Sequence, residues 1–250
     1  MAVDAPVLYN DWYVYLRDLT PPLGSTHLNP TAMQIHNAYK MRAKLQSQNY
    51  CDKALAGVIG NAQKESGLTT GAIYAWNILP NNGESLAECT TAYMYQYYQI
   101  PQNTNGPVGL LQWNGHVQNT NNVIAYCYNR NLVWYDGDVQ MDMLEYEYIN
   151  NSFWQNNYGP DLTWTVYKDI ENSQFSAYDA GECGNVWASC FEMSSTDPTY
   201  RQHIRDNANF WYQYFIDNPN PPPTPGTGIP IWMMFKFNER KSLKNERKWI

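Results

Sequence analysis

Apolar residues recur at intervals of three and four along most of this chain, and that spacing restricts it to a mainly α-helical fold. No alternation of apolar and polar residues typical of strands is sustained, and no internal repeat is present. Residues typical of helix N-caps and C-caps mark the ends of the helical segments. They predict a helix capped by Asn29 with Pro30 in its first turn and ending near Ser47, a second from Asp52 to Gly67, and others over Leu86–Tyr98, over 139–149 and from Asp197.

A proline-rich segment, 218–230, divides the chain near its C-terminal end and predicts an extended, semi-rigid linker. Lys and Arg outnumber Glu in 231–250, so the net charge of −7 averages an acidic body with a basic tail. We therefore expect an aromatic-rich N-terminal segment packed on the body (1–28), an acidic helical body (29–217), the linker and the tail. The partly apolar tail either docks on a partner or an anionic membrane surface, or is a disordered, solubilising extension.

Composition excludes several classes of protein. Only 16% of residues are charged while 15% are aromatic, which argues against a disordered chain. An isoelectric point near 5.0 argues against nucleic acid as a partner, because phosphate binding needs Lys and Arg. An aromatic, weakly charged surface suits a neutral, hydroxyl-rich ligand such as a carbohydrate, although aromatic residues also build ordinary cores.

The five cysteines are widely spaced without a CxxC pair, and the four histidines are scattered. We expect no metal site and no cofactor. The thiols are expected to be free, with a Cys183–Cys190 pair as the alternative in an oxidising setting. The start at Met1 has neither a basic nor a long apolar region, and no run of about 18 apolar residues occurs, so neither a cleaved signal peptide nor a transmembrane helix is expected.

One carboxylate stands out because it continues an apolar helix face. Leu55, Val58 and Ala62 share that face with Glu65, which lies in the last turn of its helix. Burial and the helix dipole both disfavour a negative charge there, and both raise the pKa. A general acid needs a pKa raised in this way. The alternative is that Glu65 turns to solvent or pairs with a lysine.

Two motifs carry a resemblance to a known family. They are Gly57-Val-Ile-Gly-Asn-Ala-Gln-Lys-Glu-Ser-Gly67 and Gly106-Pro-Val-Gly-Leu-Leu-Gln-Trp113. They resemble the glutamate helix and the Gly-x-x-Gln-Trp segment of the phage tail lysozyme family, which groups lysozyme-like muramidases. Residues 140–147 are similar to that family's helix after the cleft, and 190–212 to its closing Phe-Glu, Arg and Ala-x-x-x-Tyr elements. The resemblance covers about 29–216.

The resemblance implies a lysozyme-like helical domain with a long, partly irregular insertion beside the active-site cleft. It implies cleavage of the β-1,4 bond between N-acetylmuramic acid and N-acetylglucosamine in peptidoglycan, with Glu65 as the general acid. Ser66 would brace the Glu65 carboxyl or the substrate, Gln112 would line the cleft, and Trp113 would support that wall. The gap between the two motifs is long, and the arginine often seen after Gln-Trp is absent, with His116 nearest.

The second catalytic carboxylate is open. Glu84 and Glu88 follow the glutamate helix and are candidates, with exposed loop acids as the alternative interpretation. Without a second acid, the 6-hydroxyl of muramic acid would attack instead, as in a lytic transglycosylase.

The resemblance also sets expectations for partners and location. Peptidoglycan glycan strands are the expected partner, and other tail proteins or an anionic membrane are candidates for the C-terminal tail. The protein would act in the virion tail tip, or as a lysin held in the host cytoplasm until release. The alternative class is a non-catalytic wall-binding or virion structural protein with the same fold.

Overall fold

A computed structural model describes residues 7–14, 17–18, 29–73, 88–99, 107–114, 122–150, 154–192 and 196–222. Within them the chain is mainly helical, which confirms the predicted fold class. The helices are α1 (Ala32–Ser47), α2 (Asp52–Ser66), α3 (Thr91–Tyr98), α4 (Val123–Arg130), α5 (Gly137–Asn150), α6 (Trp164–Lys168), α7 (Ala180–Cys190) and α8 (Pro198–Asp217). The strands are β1 (Val7–Tyr9), β2 (Trp12–Val14), β3 (Arg17–Asp18), β4 (Ala72–Ile73), β5 (Pro107–Val108) and β6 (Trp113–Asn114).

The predicted ends of the first two helices are correct to within a few residues. Helix α1 begins at Ala32 rather than Pro30, because Thr31 caps it and forms a reciprocal capping box with Gln34. Asp52 was predicted to cap α2, but Cys51 is the N-cap and Asp52 is the first helical residue. The helix ends at Ser66, and Gly67 directly after it has a φ of +66°, in the left-handed region. That conformation confirms the predicted glycine stop.

The predicted start is correct for α8 and wrong for α3. Asp197 accepts a hydrogen bond from the Tyr200 N–H, and Pro198 lies in the first turn of α8, as predicted. Helix α3 begins at Thr91 rather than Leu86, since Thr90 caps it through the Tyr93 N–H. Residues 86–87 of the predicted helix lie outside the described part of the chain.

Helix α2 is the centre of the helical packing and contacts α1, α7 and α8. Two glycines allow this. A Cβ atom on Gly57 would lie 2.8 Å from the Cys183 carbonyl carbon of α7, and one on Gly60 would lie 2.6 Å from the Ala208 nitrogen of α8. Asn61 adds a buried hydrogen bond of 2.9 Å to the Gly184 carbonyl. The helix that carries Glu65 is therefore held on two sides by close backbone contact.

The strands are two or three residues long, too short for the alternation that predicts strands from sequence. Strands β1 and β2 form an antiparallel hairpin. The other four form a sheet in the order β3-β4-β5-β6, with β3 and β4 parallel and the remaining pairs antiparallel. Strand β4 follows α2 closely, so this sheet borders the end of the glutamate helix.

The two ends of the described chain lie against α1. In the N-terminal hairpin the Tyr13 N–H donates to Asn37 Oδ1 at 2.9 Å, and Trp12 is buried against Gly137. After α8, the Pro219 carbonyl accepts from Arg42 Nη1 at 3.2 Å. The rest of the predicted linker and the tail, from 223 onward, lie outside the described residues.

Two further observations complete the description of the fold. All five cysteines are free thiols, so Cys183 and Cys190 are not paired. Among the described helices, none has the length and apolar content needed to cross a membrane.

Candidate active site

Glu65 lies in the last turn of α2, where the residue is partly exposed but its Oε1 atom is buried. Within the described residues that oxygen has no hydrogen-bond partner. Burial raises the pKa of Glu65 from 4.5 to about 7, against the lowering effect of the positive charges on Lys64 and Arg201. The sequence predicted a raised pKa for Glu65 because the residue continues the apolar face of α2, and burial is indeed the largest cause of the rise. Glu65 therefore holds a proton up to about neutral pH.

A second carboxyl group, which the sequence did not single out as an acid, lies close enough to interact with Glu65. Glu192 follows the end of α7, and its pKa is raised well above its usual range, first by burial and then by the charge of Glu65. Trp187 Nε1 donates to Glu192 Oε1 at 3.2 Å. The Phe191-Glu192 pair was part of the family resemblance, but that resemblance gave Glu192 no role.

Arg201 of α8 is the cation common to both carboxyl groups. It lowers the pKa of Glu65 and of Glu192. Its Nη1 donates to the Asn185 carbonyl of α7 at 3.1 Å, which fixes the guanidinium between the two helices. The packing of α2, α7 and α8 thus brings together two acids and one arginine.

Ser66 is fully buried, and its hydroxyl is bound to the backbone around the end of α2. Ser66 Oγ donates to the Ala62 carbonyl at 2.7 Å and accepts from the Leu68 N–H at 3.2 Å. Helix α1 holds the same turn, since Asn37 Nδ2 donates to the Leu68 carbonyl at 2.7 Å. Two elements thus fix the turn directly after Glu65.

Residues 107–114, here called the Gln-Trp segment, form the neighbouring β5–β6 hairpin. Gln112 adopts a φ of +50°, and its Nε2 donates to the Gly109 carbonyl at 2.8 Å. Trp113 is buried, and its Nε1 donates to Glu147 Oε2 of α5 at 3.0 Å. Gln112 is the more exposed of the two, while Trp113 anchors the segment on α5.

Gln140 of α5 joins the Gln-Trp segment to the chain that follows Glu65. Its Oε1 accepts from the Leu110 N–H at 2.8 Å, and its Nε2 donates to the carbonyls of Thr70 (2.9 Å) and Trp134 (2.7 Å). Gly109 has a φ of +81°, which favours glycine, and a Cβ atom there would lie 2.8 Å from Gln140 Oε1. One buried amide therefore fixes the segment relative to the end of the glutamate helix.

Glu147 is a third acid that the sequence analysis missed. Burial raises its pKa to about 8, although the hydrogen bond from Trp113 lowers it. A neutral, buried carboxyl group at this place holds the indole of the Gln-Trp segment. Glu147 lies on the buried face of α5. Residue spacing alone did not predict its burial, because the acidic residues at other positions of the same helix are exposed to solvent or partly buried.

Of the two candidates for the second catalytic carboxylate, Glu84 lies outside the described residues. Glu88 lies just before α3, next to Cys89, whose carbonyl accepts from Trp134 Nε1 at 2.7 Å.

The tyrosines of α3 pack this helix on α4: Tyr98 is buried, and Tyr95 stacks on Tyr128 with 3.8 Å between ring centroids.

Comparison with known proteins assigns the chain to a family. No curated protein matches the sequence. The phage tail lysozyme family profile matches residues 36–215, most of the chain. This range contains Glu65, the Gln-Trp segment, Glu192 and Arg201. The chain belongs to the phage tail lysozyme family.

Proposed function

We propose that this protein is a muramidase that cleaves the β-1,4 bond between N-acetylmuramic acid and N-acetylglucosamine in bacterial peptidoglycan. The observation that carries the proposal is Glu65, a carboxyl group at a partly exposed helix end whose pKa burial raises to about 7. A group that is protonated near neutral pH at a partly exposed position has the property required of a general acid. Membership of a lysozyme family supports the same chemistry.

In this mechanism Glu65 donates its proton to the glycosidic oxygen as the bond to the leaving sugar breaks. The reaction leaves a carboxylate at Glu65, and the positive charges of Lys64 and Arg201 favour that charged form. The acid is thus protonated before the reaction and stabilised after it.

The neighbouring residues hold the acid and would contact the bound sugar. Ser66, through its backbone hydrogen bonds, holds the turn that presents Glu65. Gln112 offers its side chain to the sugar from the Gln-Trp segment. Trp113 supports that segment from inside through Glu147.

Two routes complete the reaction, and they give different products. In a hydrolase, a second carboxylate acts on the opposite side of the scissile bond, and Glu84 and Glu88 are the candidates for it. The oxygen of a water molecule then becomes bonded to C1 of N-acetylmuramic acid. In a lytic transglycosylase, the 6-hydroxyl of muramic acid attacks and leaves a 1,6-anhydro end. Mass spectrometry of the released muropeptides distinguishes a reducing end from an anhydro end.

The substitution Glu65→Gln tests the proposal because it keeps the shape and removes the acid. We expect the rate of turbidity clearing of purified cell walls to fall by about 100-fold or more, the usual contribution of a general acid. Glu171→Gln is the matched control, since Glu171 binds the Lys53 N–H at the opposite end of α2. The rival is a non-catalytic wall-binding protein. It would be supported if the wild type clears nothing but sediments with cell walls.

We further propose that the protein acts from the phage tail and opens the cell wall during infection, as the family's description suggests. The C-terminal segment of this chain, residues 231–250, would then dock on other proteins of the phage tail or on an anionic membrane surface. Removing 231–250 should leave clearing by the purified protein unchanged and reduce its incorporation into virions. Full incorporation of the truncated protein would exclude docking by the tail. A lysin released at the end of infection is the alternative, and it would be absent from purified virions.

A further inference from the structure

The carboxyl groups of Glu65 and Glu192 form a cluster with unsatisfied oxygens. Glu65 Oε1 and Glu192 Oε2 are both buried, and neither has a hydrogen-bond partner among the described residues. A buried oxygen without a partner is destabilising, and more so when it is charged. Two such oxygens on interacting acids are both satisfied if one carboxyl group is protonated and donates to the other.

The surrounding groups decide which of the two acids keeps its proton. Glu65 has the positive charges of both Lys64 and Arg201 near it. Glu192 has Arg201 and the indole N–H of Trp187, but its strongest charged neighbour is the negative Glu65. The charge is therefore more stable on Glu65.

The other charged groups on the packed helices do not reverse this order. On α7 and α8, Glu182 and Arg205 form an ion pair with each other. Tyr158, beside the end of α7, has its pKa raised by burial and is neutral in the same pH range. Arg201 remains the cation shared by the two acids.

We propose that Glu192 is a positioning residue that stays protonated throughout the working pH range and donates a hydrogen bond to the Glu65 carboxyl group. This inference rests on the proposed function of Glu65 as the acid. When Glu65 is protonated, the pair holds two protons, and Glu65 transfers its own to the glycosidic oxygen. Afterwards the Glu192 O–H donates to the Glu65 carboxylate and stabilises it. Glu192 neither gains nor loses a proton in the step.

Two substitutions distinguish this role from the alternatives. Glu192→Leu keeps the volume but cannot donate, so the Glu65 carboxylate loses a hydrogen bond. We expect the alkaline limb of the clearing profile to move up by about one to two pH units, and clearing to slow by about 10- to 100-fold. Glu192→Gln still donates through its amide, so it should rescue most of the rate and keep the wild-type limb.

Each contrary result overturns the proposal. If Glu192→Gln abolishes clearing at every pH, Glu192 acts as an ionised catalytic group, such as the missing second carboxylate. If Glu192→Leu has the wild-type pH profile, Glu192 serves packing alone.

A direct measurement does not depend on activity or on the folding of the leucine variant. Carbon-13 NMR of the glutamate side-chain carboxyl carbons reports the protonation of each acid. We expect the resonance lost in Glu65→Gln to titrate near 7, and the resonance lost in Glu192→Gln to keep the chemical shift of a protonated acid after Glu65 has titrated. Titration of Glu192 at the same pH as Glu65, or at a lower pH, would refute the proposal. Undiminished clearing by Glu65→Gln would instead refute the proposed function.

Discussion

The close backbone contact between α2 and α8 predicts the effect of the substitution Gly60→Ala. The added Cβ would lie 2.6 Å from the nitrogen and 2.8 Å from the Cα of Ala208. These are backbone atoms, so no side-chain rotation relieves the overlap and α8 must shift. Overpacking of this kind costs about 1–3 kcal/mol, while alanine gains about 0.5–1 kcal/mol over glycine inside a helix. We expect a net loss of about 1–2 kcal/mol.

Urea unfolding followed by tryptophan fluorescence measures this loss, and the melting temperature should fall by about 2–8 °C. The matched control is Gly184→Ala, on the neighbouring face of α7. Its Cβ would lie 3.0 Å from Ile204 Cγ2 and 3.2 Å from Ala208 Cβ, so these neighbours need to move by only a few tenths of an ångström. We expect its stability to stay within about 0.5 kcal/mol of the wild type, because the helix preference offsets the tighter contact. Equal stability of the Gly60→Ala variant and the wild type would refute this packing argument.

Three further predictions follow from buried groups. Gln140→Leu removes three buried hydrogen bonds and should cost about 3 kcal/mol or more in urea unfolding; a loss below about 1 kcal/mol would contradict its role. The raised pKa of Glu147, from 4.5 to about 8, means that the folded state holds a proton the unfolded chain releases, so stability falls as pH rises through this window. Glu147→Gln should therefore show a smaller fall in urea midpoint between pH 5 and 8, and an unchanged fall would show that Glu147 is ionised in the folded state. Trp12→Ala should destabilise the protein by about 3–5 kcal/mol, because Trp12 is fully buried, whereas Leu8→Ala at an exposed position of the same hairpin should change little.

The sequence predicted the helices whose ends carry strong local signals. Gly67 after α2 and Asp197-Pro198 before α8 are such signals, and both are confirmed. Helix α4, with eight residues, was not predicted, and α6 was missed because its five residues are too few for an apolar period to be recognised. The strands were missed for the same reason.

The candidate site was predictable only where it is local in the sequence. Glu65 was identified from the apolar face of its own helix and the motif around it. Glu192 was not identified as an acid of the site, because it reaches Glu65 only through the packing of α7 and α8 on α2. The role of Gln140 was not predictable either, because its three hydrogen bonds to backbone groups depend on the tertiary structure and leave no pattern in the sequence.

The measurement that tests the central claim most directly is mass spectrometry of the muropeptides released from purified peptidoglycan by the wild type and by Glu65→Gln. The wild type should release fragments cut between N-acetylmuramic acid and N-acetylglucosamine. The folded Glu65→Gln variant, at equal concentration and pH 6, should release them at least about 100-fold more slowly. Release of the same fragments at the wild-type rate by Glu65→Gln would contradict the assignment of Glu65 as the general acid.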